Sequence, residues 1–431
     1  MMDFLRSGLL RNLGGLNDPK LYSYCYVGTK TLIEEYLNAV NQQFERIGYA
    51  TPDELTDQQK IDFIHDSKHS FGTTALILHG GATFGLCHIG VVKSLFEQGL
   101  LPKVICGTEI GALIAALVCI HTDEELPNFL KPGGINLEAF SESSSSGTFS
   151  RKLERLLKTG HLLDASILER CVRSNTGDIT FEEAYRRTNR VLNITVCPTR
   201  KNEVPQLLNY LTAPNVLIRS AACASAAVLG LYDSVDLLIK DKAGQIVPWN
   251  SSAIRWANGQ TSEIESPMSR LSELYNVNHF IVSQASPYVV PFMSKELQLQ
   301  DDRLMSRVRN VFYSEIGHRL HQLEQFRLLP RILRGVVDQK FAGHITLFPA
   351  VTLQDFNSLF SRPTPAIVDY WIEKGEQSTF PILELIRNRC CTEFTLSKIK
   401  RELKTENPNR APHVDSIIPP RNDFKRTKSI H

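Results

Sequence analysis

Residues 75–121, ALILHGGATFGLCHIGVVKSLFEQGLLPKVICGTEIGALIAALVCIH, decide the fold. The apolar run 75–79 stops at Gly80-Gly81 and reads as a buried strand. Leu86, Ile89, Val92, Leu95 and Phe96 then recur at helical spacing, and Gly99 ends that helix. A second strand follows at 103–107. Residues 111–121 are apolar on every side, so they predict a buried helix. Two strand–helix units in succession imply a mostly parallel sheet covered by helices on both faces.

Working outward, further strands are expected at 191–196, 279–284 and 345–348. Upstream, Ile33, Tyr36, Leu37 and Val40 share one helical face, and Thr51-Pro52-Asp53-Glu54 reads as the start of another helix. Residues 141–147, SESSSSG, read as a low-complexity surface loop, and 301–328 as helical. From Lys404 onward, four prolines and few large apolar residues predict a disordered tail. The expected division is therefore 1–72 helical, 73–290 the α/β domain, 291–403 a helical and strand extension on that core, and 404–431 the tail.

The two turns inside 75–121 carry the chemistry. In Gly80-Gly81-Ala82-Thr83-Phe84-Gly85, small residues directly before a helix let backbone N–H groups face a phosphate or an oxyanion. A tight strand-to-helix connection would need the same glycines. Gly107-Thr108-Glu109-Ile110-Gly111 has the spacing of a nucleophile elbow, Gly-x-Ser-x-Gly, with Glu109 where the serine belongs. His88, Thr108, Ser225 and Cys106 have ready structural readings as packed or locally hydrogen-bonded side chains. The histidines show no ligand spacing, so neither a metal nor a cofactor is expected.

Composition narrows the class. The chain has 431 residues, 48 basic and 46 acidic side chains and a net charge of +2, with 42% hydrophobic and 22% charged residues. That balance is globular, with length for roughly two to three domain equivalents, and gives no reason to expect a nucleic-acid partner. The longest apolar runs, 110–120 and 221–232, fall short of the ~18 residues of a spanning helix. The N-terminus lacks the apolar core of a secretion signal. Nine cysteines without a CxxC pair suggest a reduced, intracellular compartment.

Several stretches together resemble the patatin-like triacylglycerol lipases of fungi and the related seed-oil lipase of plants. They are Leu9-Leu10-Arg11-Asn12-Leu13, His79-Gly80-Gly81-Ala82 through His88-Ile89-Gly90-Val91-Val92-Lys93, Leu100-Leu101-Pro102, Thr180-Phe181-Glu182-Glu183-Ala184-Tyr185, Leu208-Asn209-Tyr210-Leu211-Thr212, and 276–284. The resemblance spans nearly all of the chain except the tail. It implies a three-layer α/β patatin-like fold and a Ser–Asp dyad lipase, with Gly80, Gly81, Ala82 and Gly85 as the oxyanion loop and Gly107 and Gly111 flanking the nucleophile. It also implies that the dyad acid falls at Asn258 in Trp256-Ala257-Asn258-Gly259. Both dyad positions are thus substituted.

An amide at 258 is too weak a base to take a serine proton, and a carboxylate at 109 cannot follow the serine acyl-transfer path. Three rescues are conceivable: Glu109 as the nucleophile, a substitute acid among Asp233, Asp236, Asp241, Glu263 and Glu265, or deamidation of Asn258. The expected protein is a lipase homologue with lost or impaired catalysis, cytoplasmic or peripheral on lipid droplets or membranes. It would bind acyl lipid or such a surface, alongside an active paralogue. The alternative is an active lipid hydrolase or acyltransferase using unconventional residues.

Overall fold

The computed structural model describes residues 2–16, 18–22, 25, 28–51, 53–131, 133–137, 165–198, 206–227, 235–249, 256–257, 267–286, 343–352, 354–358 and 364–406. The expectations for 141–147, 301–328 and 407–431 lie outside them, as does Asn258. In chain order the strands are β1 (Thr73–His79), β2 (Val104–Gly107), β3 (Val191–Pro198), β4 (Gln206–Leu208), β5 (Leu238–Lys240), β6 (Ile246–Pro248), β7 (Trp256–Ala257), β8 (Val277–Gln284) and β9 (Ile345–Leu347).

The main sheet runs β4-β3-β2-β1-β8-β9, with β7 added at β3. Pairs β3–β2, β2–β1, β1–β8 and β8–β9 are parallel, whereas β4 and β7 lie antiparallel on β3. All five strands expected from the sequence form this sheet. The antiparallel pieces were not anticipated: each is two or three residues long, too short to show a period.

Alternation along β1 sends its side chains to two faces. Ala75 and Ile77 pack with Val104, Cys106, Val282 and Leu271, the last from helix Pro267–Tyr275. Leu78 faces the other way, toward helix Ile110–Ile120. Helices therefore cover both faces, and the three-layer α/β arrangement is the observed one. Helix Cys87–Glu97 crosses helix Pro365–Thr379 with no room between backbones. A Cβ on Gly90 would lie 1.9 Å from the Ile372 carbonyl oxygen, and one on Gly375 would lie 2.0 Å from that of Cys87.

The chain divides into two compact units. One holds residues 1–13, Thr31–Phe71 and the chain from Cys391 on; the other holds 14–30 and Gly72–Cys390, including the sheet. Toward the C-terminus the division falls at Cys390, inside helix Leu383–Glu406.

Two local expectations need correction. The helix expected from residue 51 starts instead at Asp57 and runs to Phe71. Its signal is a reciprocal cap: the Gln59 side chain accepts the Thr56 N–H at 3.1 Å, and the Thr56 hydroxyl accepts the Gln59 N–H at 3.4 Å. At the other end, Lys404–Glu406 still belong to the last helix, because Leu403 beside them is buried and holds that turn down.

Candidate active site

The glycine turn follows β1 and the elbow follows β2. These strands are parallel neighbours with Leu78 opposite Gly107, so both turns emerge at the C-terminal edge of the sheet. Such an edge is where ligands of open α/β sheets bind. Gly111 lets the buried helix reach the strand, since a Cβ there would sit 2.1 Å from the Leu78 oxygen.

Glu109 is the N-terminal cap of helix Ile110–Ile120, with φ 56° and ψ −127°. A positive φ is uncommon for a side-chain-bearing residue, and a strained backbone of this kind costs about 1–3 kcal/mol. Its surroundings impose it. The Thr108 N–H donates to the Leu78 oxygen at 3.0 Å, and the Glu109 N–H donates to Ser225 Oγ at 3.1 Å. The Thr108 hydroxyl meets His79 Nδ1 at 2.5 Å. The geometry of a nucleophile elbow is thus built around a glutamate.

The glycine turn folds as a 3-10 turn, Ala82–Leu86, against the residue after Glu109. A Cβ at Gly81 would lie 2.6 Å from Ile110 Cβ and 3.4 Å from Ile110 N, and one at Gly85 would lie 2.7 Å from Ile110 Cγ2. The turn and the first residue of the helix are therefore adjacent. In nucleophile-elbow hydrolases, the N–H after the nucleophile and one from such a loop make the oxyanion hole. Gly80, with φ 85°, approaches Ser286 so closely that a Cβ would come within 2.2 Å of Ser286 Oγ.

Glu109 is half-buried at the positive end of a helix, a position that favours a carboxylate. Asn258 is not among the described residues. The strand before it, β7, pairs Ala257 with Cys197 and Trp256 with Pro198, beyond the row where Ile194 meets Gly107. Of the acids considered as substitutes, Asp236 and Asp241 are described. Both are exposed, and the Asp241 backbone closes the β5–β6 hairpin, its N–H donating to the Gln245 oxygen and its oxygen accepting the Gly244 N–H. Asp233, Glu263 and Glu265 lie outside the described residues.

The remaining candidates have structural partners. Cys106 is buried in β2, and burial pushes its thiol up to about 12. Ser225 is fully buried and supports the elbow backbone, as described. His79, in contrast, was not singled out by any local pattern: its partner Thr108 is 29 residues away. Among the described residues, no group of three or more His, Cys, Asp or Glu side chains could hold a metal ion.

His88, in the helix after the glycine turn, is fully buried with Nδ1 2.8 Å from Ser283 Oγ. Burial, reinforced by His79, lowers its ring to about 3. The unfolded ring titrates near its ordinary value of ~6.5, so between these values the unfolded chain holds the extra proton. Stability therefore falls as pH drops from about 6.5 toward about 3, by something on the order of 4 kcal/mol from this residue. Urea midpoints near neutral pH and near pH 4 should differ less in His88→Gln than in the wild type. An equal acid loss in both would remove His88 as the cause.

The profile described as patatin-like phospholipase matches residues 76–251, and a domain of unknown function, DUF3336, matches residues 1–69. Triacylglycerol lipase ptl1 of Schizosaccharomyces pombe is 37% identical over 409 residues, 94% of this chain and 74% of that protein. Triacylglycerol lipase 4 of Saccharomyces cerevisiae is 36% identical, covering 97% of this chain and 48% of its own length. Triacylglycerol lipase SDP1L of Arabidopsis thaliana is 33% identical, covering 91% and 50%. The chain thus spans about three quarters of the first relative and about half of the other two. With the elbow and glycine turn side by side on a parallel sheet, and with identity of this extent, the chain belongs to the patatin-like phospholipase family.

Proposed function

We propose that this protein is a homologue of triacylglycerol lipases that retains an acyl-lipid site but does not hydrolyse esters. One observation carries the reading: Glu109 occupies the strained position of the elbow, φ 56°, where the reaction needs a hydroxyl. A neutral asparagine at the position matching the dyad acid supports it from the sequence. The glycine turn is retained, so the fold keeps the shape of an acyl site without its attacking group. The protein would work at a lipid-droplet or membrane surface from outside the bilayer, alongside an active paralogue. Among the described residues no helix is long and apolar enough to cross a membrane.

The test is binding without turnover. A fluorescent-acyl triacylglycerol incubated with the purified chain should bind saturably and be recovered intact. A bulky substitution at the turn, Gly81→Val, should abolish that binding, because a side chain there runs into Ile110. Absence of saturable binding by the wild type would refute the lipid-holding role.

A further inference from the structure

β9 is three residues long and stands at the end of the row β4-β3-β2-β1-β8-β9, so its ladder to β8 is short. A side chain reinforces it. The Phe280 N–H donates to Nδ1 of His344, the residue just before β9, at 3.1 Å. The two rings lie 17° from parallel with centroids 6.0 Å apart. Gly343 lets the chain come this close, since a Cβ there would stand 2.8 Å from the Phe280 oxygen. Ile345 pairs with Ile281 directly beyond. The imidazole thus fastens the start of a strand that has little backbone pairing of its own.

This fastening needs a nitrogen without a proton. A neutral imidazole offers one acceptor, whereas in the cation both nitrogens are donors. Nδ1 therefore cannot carry a proton and accept the Phe280 N–H at once. Its neighbours do not favour the cation either. From β8 it faces the buried His279 ring at 5.4 Å, whose Nδ1 lies 3.2 Å from Thr74 Oγ1 of β1, itself 3.7 Å from Cys390 Sγ. From helix Leu383–Glu406, the Arg389 guanidinium donates to the His344 carbonyl oxygen at 3.1 Å. A proton on His344 would put a second cation beside that guanidinium. The residue is exposed, so solvent protons reach it. Imidazoles change charge between roughly pH 5 and 8.

The chain leaving β9 reaches the candidate site. Val351 and Phe356 pack on the cluster that holds Phe84 of the glycine turn, with the Phe356 ring edge-on to Phe84 at 5.3 Å. We propose that His344 is a pH-sensitive latch on β9: in mild acid it releases Phe280, the edge strand frays, and the glycine turn loses part of its backing. Any effect on lipid binding rests on the acyl-site reading given above; the fraying of β9 does not.

Hydrogen–deuterium exchange of the full chain at about pH 7.5 and about pH 5.5, corrected for intrinsic rates, tests this. Rates are taken relative to β1, residues 73–79, whose exchange carries any global acid effect such as that of His88. Residues 345–351 of the wild type should exchange ~5-fold faster in acid, the size of one lost hydrogen bond, and 82–86 should follow by a smaller factor. His344→Asn keeps an acceptor near the Nδ1 position but does not titrate, so its ratio should change less than ~2-fold. His344→Ala has no acceptor and should exchange at the faster rate at both pH values. Wild-type protection that is the same at both, or an equal acid response in His344→Asn, would overturn the latch. Release of β9 with 82–86 unmoved would overturn its link to the glycine turn.

Discussion

Gly111→Ala is expected to destabilise the sheet unit by about 3 kcal/mol or more, the upper end of what overpacking costs. The added Cβ would stand 2.1 Å from the Leu78 oxygen and 2.6 Å from its carbonyl carbon. Both are backbone atoms of β1, the strand between β2 and β8. No rotamer change can move them. Relief requires helix Ile110–Ile120 to lift from the sheet, and the Leu78 oxygen would then risk its bond from the Thr108 N–H. Gly99 supplies the comparison. It also has a positive φ, 66°, but nothing lies within 4 Å of its absent Cβ. Gly99→Ala therefore incurs only backbone strain, ~1 kcal/mol. Urea unfolding of both variants checks the contrast, and equal costs would mean that the helix does not sit against β1 as described.

Glu109→Ser combined with Asn258→Asp should gain reactivity toward a fluorophosphonate probe, with the label on residue 109. The elbow conformation does not depend on the glutamate carboxylate: Ser225 holds the Glu109 N–H, and the β1 carbonyl and His79 hold Thr108. A serine placed there inherits the half-buried, strained position that an elbow nucleophile occupies. Removing the carboxylate also clears negative charge from beside the oxyanion donors. Proton acceptance by a positioned carboxylate is worth about 10²–10⁴-fold, so the double variant should exceed Glu109→Ser alone by at least ~10². Groups that act as a unit are non-additive, which makes that comparison the informative one. A folded double variant that labels no better than the single one would show that residue 258 does not serve the elbow.

Much of the fold was legible because it rests on local pattern. The strands of the parallel sheet are short continuous apolar runs, and the glycines at 80, 81, 85, 107 and 111 mark turns that admit no side chain. Each of those glycines has a neighbour within 3 Å of its absent Cβ, so their reading as obligatory was a reading of packing. The supports of the elbow were not legible. Ser225 reaches Glu109 from 116 residues away, and no spacing rule links them. β7 is two residues long and pairs with β3 across a distance of some sixty residues in sequence. The start of helix Asp57–Phe71 does have a local signal, the reciprocal cap of Thr56 and Gln59, four residues beyond Pro52.

Release of free fatty acid from emulsified triacylglycerol by the wild-type chain, measured beside Glu109→Gln, tests the central claim most directly. A carboxylate at the elbow in place of a hydroxyl predicts that both proteins stay at the buffer rate. Sustained turnover by the wild type that vanishes in Glu109→Gln would contradict the account and make Glu109 itself the attacking group.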